Sequence, residues 1–388
     1  MFSRVMRRHR AHYVPPLALL AATFVRRGHE ITMLTTAAPE GELVDRESFA
    51  EVHYLGGTKP GRVDADYWAA SGARFDALHS ERKFDIAMGR GSWLWGFFRH
   101  SKFVGEVPVI SHEGTYPRWL HQIETRFPRA GGAIALPFAP FSEVAKKRSR
   151  ECRLGAARIV CNSPALATAF RQIFWWNPPK TVFIPYGFEL SGYEPADPPS
   201  PPRLVFLGRL ARDKGLFTLI DVLAGLTRRD VVVEAIGPVN DGMRAKLARY
   251  AASRGVAERF VMPGPVHNSE VGQRLAGATA FVFASTHNEG LPKVVMEAMA
   301  AGLPVVAYAL PGMDTLVVDG VTGHLAPPRD SERFRNGVEA LLASPEKAVE
   351  MGLAGRRRIA TEFEPDAILN RWDTLFREVI AERGGGGG

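Results

Sequence analysis

"SGYEPADPPSPP", residues 191–202, interrupts a chain that otherwise alternates short apolar runs with helical periodicity. Its prolines carry no hydrophobic period, so it reads as a linker. Before it stand "EITMLTT", "EVHYLGG", "FDIAMGR", "VPVISHE", "ARIVCN" and "TVFIPYG". After it the pattern restarts with "RLVFLGR", "VVVEAIG", "RFVMPG", "AFVFAS" and "PVVAYA". Apolar strands separated by amphipathic helices are the signature of a parallel sheet with helices on both faces. A pattern that stops and restarts predicts an α/β protein with two Rossmann-like, doubly wound parallel-sheet domains. Such sheets bind ligands beyond the carboxyl ends of their strands, so a hinge between two of them would set those ends facing a central cleft. The expected division is a first domain over 1–190, the linker over 191–202 and a second domain over 203–365. A helix over 366–383 would pack back across the hinge, and 384–388 form a glycine tail.

A length of 388 residues exceeds one ordinary core. Apolar content of 46% and charged content of 23% are those of a globular protein rather than a disordered one. No run approaches the roughly 18 apolar residues of a spanning helix. Cys152 and Cys161 fit neither a zinc site nor a disulfide framework, which points to a reducing, cytoplasmic setting. The opening "RRHR" and "YVPPLALLAATFV" imitate a signal peptide. "RRGHEITMLTT" follows at once, however, and reads as a basic helix end, a C-cap at Gly28 and a strand.

Charge is unevenly placed. Residues 1–190 hold 26 Lys and Arg against 17 Asp and Glu, and residues 191–388 hold 23 against 24. The first half alone therefore attracts anions at long range.

Two stretches of the second half carry chemistry. In "FLGRLARDKG", residues 206–215, Gly208 ends a strand, so Arg209 and Lys214 emerge at its C-terminal edge. Two fixed cations beside a helix N-terminus suit a diphosphate, although an exposed basic loop has the same composition. In "THNEGLPKVVMEAMAAGLPVVA", residues 286–307, Glu289 and Glu297 stand eight residues apart. On a continuous helix they would lie about 80° apart. Pro292 instead suggests that the helix begins there, leaving Glu289 in the loop ahead and Glu297 on the second turn, leaning back. A carboxylate accepting two hydrogen bonds suits a sugar diol. One acid for each sugar with a diphosphate between them describes a nucleotide-sugar; a capping acid and a buried helix glutamate are the plainer alternative.

These stretches, with "GVTGHLAPPRD" after them, resemble the signatures of family 4 retaining glycosyltransferases of the GT-B fold. The resemblance covers almost the whole second half in order and spacing. It implies that Arg209 and Lys214 hold the donor diphosphate, that Glu297 takes the ribose, and that Glu289 with the backbone of Gly290 and Leu291 takes the transferred sugar. "VMPGPVHNSEV" matches the stretch bordering the nucleobase, which points to Val266. "VPVISHEG" resembles the strand ending in a histidine near the reacting sugar, making His112 the match. Family members usually open with a full strand and a Gly-Gly loop. Here those glycines fall near Ala11 and His12, with only "MFSRV" left for the strand.

The expected reaction moves a hexose from a nucleoside-diphosphate sugar to a lipid-linked, polysaccharide or small-molecule acceptor, with retention. No metal or other cofactor is expected, because Arg209 and Lys214 can take the leaving-group charge. The pair Asp64 and Asp66 in "DAD" lies away from the donor stretch. Residues 119–150, ending in "KKRSR", and the aromatic run "WLWGFFRHSKF", 93–103, read as either a patch for anionic lipid or a buried helix with a basic end. The first reading makes the protein peripheral on the inner face of the plasma membrane. Nucleic acid is not an expected partner, since the basic half lacks a binding motif. The alternatives are a non-catalytic sugar-nucleotide binder and a GT-B epimerase or hydrolase.

Overall fold

The computed structural model describes residues 16–38, 43–47, 49–114, 147–175, 177–286 and 290–384. The chain forms two compact units, one of residues up to Ile184 together with those from Asp366 onward, the other Pro185–Pro365.

The first unit contains β1 (Thr32–Thr36), β2 (Leu43–Glu47), β3 (Ala50–Leu55), β4 (Ala87–Gly89), β5 (Val109–Glu113), β6 (Arg158–Cys161) and β7 (Thr181–Phe183). Among the described residues these form a three-stranded sheet, β1-β3-β2, and a four-stranded sheet, β4-β5-β6-β7. The second is parallel throughout. In the first, β2 runs antiparallel to β3, because only a short turn joins them. This strand was not foreseen: "LVDRE" has no apolar run. The helix Pro365–Gly384 supplies part of this unit's core. Its buried Trp372 meets Phe24 edge to face at 5.4 Å. Arg27 pairs with Asp366 at 2.8 Å, and Arg158 with Glu382.

The aromatic run at 93–103 turns inward. Leu94 and Phe97 are buried, and Trp93, Trp95, Phe98 and Phe103 pack against the same core. Close approach of two helices explains it: a Cβ on Gly72 would stand 2.7 Å from the Gly96 carbonyl oxygen. Arg148 lies 4.4 Å from the Trp68 ring; residues 119–146 of the basic segment, like Ala11 and His12, fall outside the described residues. No helix among the described residues is long and apolar enough to cross a membrane.

The second unit holds β8 (Arg203–Leu207), β9 (Val232–Ile236), β10 (Phe260–Gly264), β11 (Ala280–Phe283), β12 (Val305–Tyr308) and β13 (Gly323–Ala326). They form one parallel six-stranded sheet in the order β10-β9-β8-β11-β12-β13. Its central strands are buried on both faces, which is why they read as unbroken apolar runs. The chain steps outward from β8 to β10, then returns to place β11 on the other side of β8. That reversal opens a crevice at the carboxyl ends of β8 and β11, the usual ligand position in such sheets.

Residues 191–202 are not a free linker. They belong to the second unit, where Gly272 and Gly302 pack on Gly192 and Pro195. Proline enforces an extended path but does not prevent that path from packing.

Candidate functional site

Gly208 follows β8 with φ 143°, and its carbonyl oxygen would lie 1.9 Å from a Cβ on Gly237. This turn releases Arg209, whose side chain is 64% exposed and free to reach a ligand. Its nearest acid is Asp213 at 3.9 Å, a loose contact that leaves most of its donors to other partners. The short 3-10 turn Arg212–Lys214 follows, then Gly215 at φ 76° caps the helix Leu216–Gly225.

This basic loop is tied to the residues after β11. The Asp213 carbonyl accepts from the Thr286 N–H at 2.9 Å and from the hydroxyls of Thr286 and Ser285 at 3.3 and 3.4 Å. Arg209 and Lys214 are therefore held beside the segment that leads to Gly290 and Leu291, both of which are buried. Beyond them runs the helix Lys293–Ala300, with Pro292 at its N-cap rather than at its first turn. Glu289 lies outside the described residues.

Glu297 is 5% exposed on this helix. Its Oε1 accepts from Lys293 Nζ at 2.8 Å and from the Tyr193 hydroxyl at 3.2 Å. Burial and the nearby carboxylate push the Tyr193 hydroxyl well above the usual phenol range, so it stays a proton donor. Val266 follows β10, half-buried against the same core. Gly208, Arg209, Lys214, Val266, Gly290, Leu291 and Glu297 all follow the carboxyl ends of strands in one sheet. They offer cationic side chains and a buried carboxylate.

His112 belongs to the first unit, on β5, and is 4% exposed. Its ring lies 6.0 Å from that of Trp372. Burial, reinforced by the Arg90 charge, pushes its pKa down to about 4. The neighbouring Glu113 accepts from Arg153 at 2.9 Å and from Ser111 at 3.2 Å, a buried pair with no sequence signal because its members lie 40 residues apart. Asp64 caps the helix Ala65–Glu81 and pairs with Arg62 at 3.0 Å, a structural use of "DAD". Among the described residues no cluster of His, Cys, Asp and Glu could hold a metal ion.

Sequence reading missed Tyr193, which its proline-rich surroundings disguise, and Lys293, although the latter stands four residues before Glu297 on one helix face.

Residues 194–358 match the family described as glycosyl transferases group 1. The chain is similar to the D-inositol 3-phosphate glycosyltransferase of Frankia alni, 27% identical over 327 residues, covering 78% of this chain and 75% of that one. It is also similar to the alpha-maltose-1-phosphate synthase of Mycobacterium tuberculosis, 26% identical over 366 residues, with 85% and 91% covered. Its fold is that of sucrose-phosphate synthase from Thermosynechococcus elongatus, with TM-score 0.72, 19% identity and 94% and 93% of the chains covered. Anabaena HepE in complex with UDP and glucose shares the fold at TM-score 0.66 and 19% identity, with 92% and 95% covered. Residues 194–358 thus match the glycosyl transferases group 1 family, and the chain as a whole is similar to glycosyltransferases and has their GT-B fold.

Proposed function

We propose that the protein transfers a hexose from a nucleoside-diphosphate sugar to an acceptor, with retention at the anomeric carbon and without a metal. The observation that supports this reading is the hydrogen bonding of Thr286 and Ser285 to the Asp213 carbonyl, which ties the Arg209–Lys214 loop after β8 to the segment after β11 that leads toward the Glu297 helix. Arg209 and Lys214 take the donor diphosphate and stabilise charge on the departing phosphate. Glu297 takes the ribose, and Glu289 with the backbone of Gly290 and Leu291 takes the hexose. Val266 borders the base, and His112 contacts the reacting sugar. Same-face attack, with the departing phosphate accepting the acceptor's proton, gives retention.

The acceptor is a lipid-linked glycan, a polysaccharide or a small molecule. Similarity to relatives named for D-inositol 3-phosphate supports the small-molecule case. The basic excess of residues 1–190 supports an acidic acceptor or an anionic membrane surface near that half. We place the protein in the cytoplasm.

Thermal shift with UDP-, GDP- and ADP-linked hexoses tests the donor, because a ligand that binds only the folded state raises Tm. One of these sugars should raise Tm and then be consumed when acceptor is added. Consumption that yields free sugar without acceptor would favour a hydrolase, and binding with no turnover would favour a non-catalytic binder.

A further inference from the structure

We infer that Tyr193 is a positioning residue for the donor site, holding Glu297 so that only its second oxygen, Oε2, faces the ribose. The inference rests on the donor reading above and adds a residue to it. A carboxylate oxygen has two lone pairs. Lys293 and Tyr193 both donate to Oε1, at 2.8 and 3.2 Å, and so take both of them. Oε2 receives neither bond and is left for a ligand hydroxyl.

The two donors differ in how firmly they hold. Lys293 is a flexible side chain, 57% exposed, and its ammonium can find water instead. Tyr193 is fixed from several sides. Arg356 donates to the carbonyl oxygens of both Tyr193 and Ala300, tying the tyrosine backbone to the end of the Glu297 helix. The ring packs 5.3 Å from that of Phe188. Just before it, a Cβ on Gly272 would lie 1.7 Å from the Gly192 carbonyl oxygen, so the backbone there is pressed against the helix Val271–Leu275. A rigid phenol on one oxygen fixes the plane of the carboxylate, which a lysine alone would leave to rotate. The pairing also explains why a tyrosine in a proline-rich stretch reaches toward a helix 104 residues away.

Calorimetric titration of UDP, GDP and ADP, each with its 2′-deoxy and 3′-deoxy forms, tests this on the intact protein. Wild type should lose affinity when the contacted ribose hydroxyl is removed. Tyr193→Phe should weaken the ribonucleotide about three- to tenfold, the scale of one hydrogen bond, and leave the matching deoxynucleotide almost unchanged. Lys293→Met should show the same coupling to the ribose hydroxyl, more weakly. Equal weakening of ribo and deoxy forms in Tyr193→Phe would overturn the inference and leave the donor reading standing. Failure of wild type to bind any of the three nucleotides would overturn both.

Discussion

Gly215 lies so close to Ala284 that a Cβ added to it would stand 1.9 Å from the Ala284 carbonyl oxygen. This contact seats the basic loop after β8 on the end of β11, and Lys214 immediately precedes it. Two demands fall on one residue, a positive φ of 76° and no side chain.

Gly215→Ala should therefore destabilise the second unit by about 2–4 kcal/mol, combining left-handed strain with overpacking. Urea unfolding measures it. Donor affinity should fall as well, because the loop must withdraw from β11. A change below about 0.5 kcal/mol, the scale of an ordinary surface substitution, would contradict the packing.

Arg209→Ala and Lys214→Ala should each lower turnover by roughly ten- to a thousandfold, the scale of losing one transition-state charge contact. Tm without ligand should barely move for Arg209→Ala, whose side chain is largely exposed. EDTA should leave activity in place. Activity abolished by EDTA and restored by manganese would count against the metal-free mechanism.

The two acids should separate by ligand. Glu297→Gln should weaken free nucleoside diphosphate and nucleotide-sugar alike, since its partner is the ribose. Glu289→Gln should impair transfer while sparing free-nucleotide binding. Titration of both variants decides, and equal loss of free-nucleotide affinity would end the division of roles.

His112 makes stability depend on pH. Its ordinary value is 6.5, and burial with Arg90 nearby brings it to about 4 in the folded state. Above pH 6.5 it is neutral in both states and costs nothing. As pH falls from 6.5 toward 4, the unfolded chain binds a proton that the folded chain refuses, so stability drops by up to about 3 kcal/mol. Urea unfolding between pH 7 and 4.5 should show a shallower decline in His112→Gln than in wild type. Parallel declines would mean that His112 is protonated within the fold.

Strands buried on both faces were legible because the sequence alone shows an apolar run, as in "RLVFLGR" before Gly208. β2 and β13 were not read as strands: "LVDRE" and "GHLA" are short and carry polar residues. Composition at 191–202 spoke of an extended chain but could not say what the chain lies against. Glycines elsewhere decide that, through close contacts from Gly272 to the Gly192 backbone and from Gly302 to the Pro195 ring. The positions of Arg209 and Lys214 after β8 and of Glu297 on its helix were legible because local spacing places them at a strand end and on a helix turn. Tyr193 was not, because its partner is distant in sequence and no local period links the two. For the aromatic run at 93–103 the sequence left a lipid-facing patch and a buried helix open, and the glycine contact between Gly72 and Gly96 shows it turned inward.

The proposed donor site lies at the carboxyl ends of β8 and β11. Calorimetric titration of UDP-, GDP- and ADP-linked hexoses into wild type and into an Arg209→Ala, Lys214→Ala double variant tests it most directly. Wild type should bind one of these donors. The double variant should bind it at least a hundredfold more weakly, as expected for two charge-assisted contacts of about 1.5–3 kcal/mol each. Undiminished binding in a folded double variant would place the nucleotide elsewhere and contradict the account.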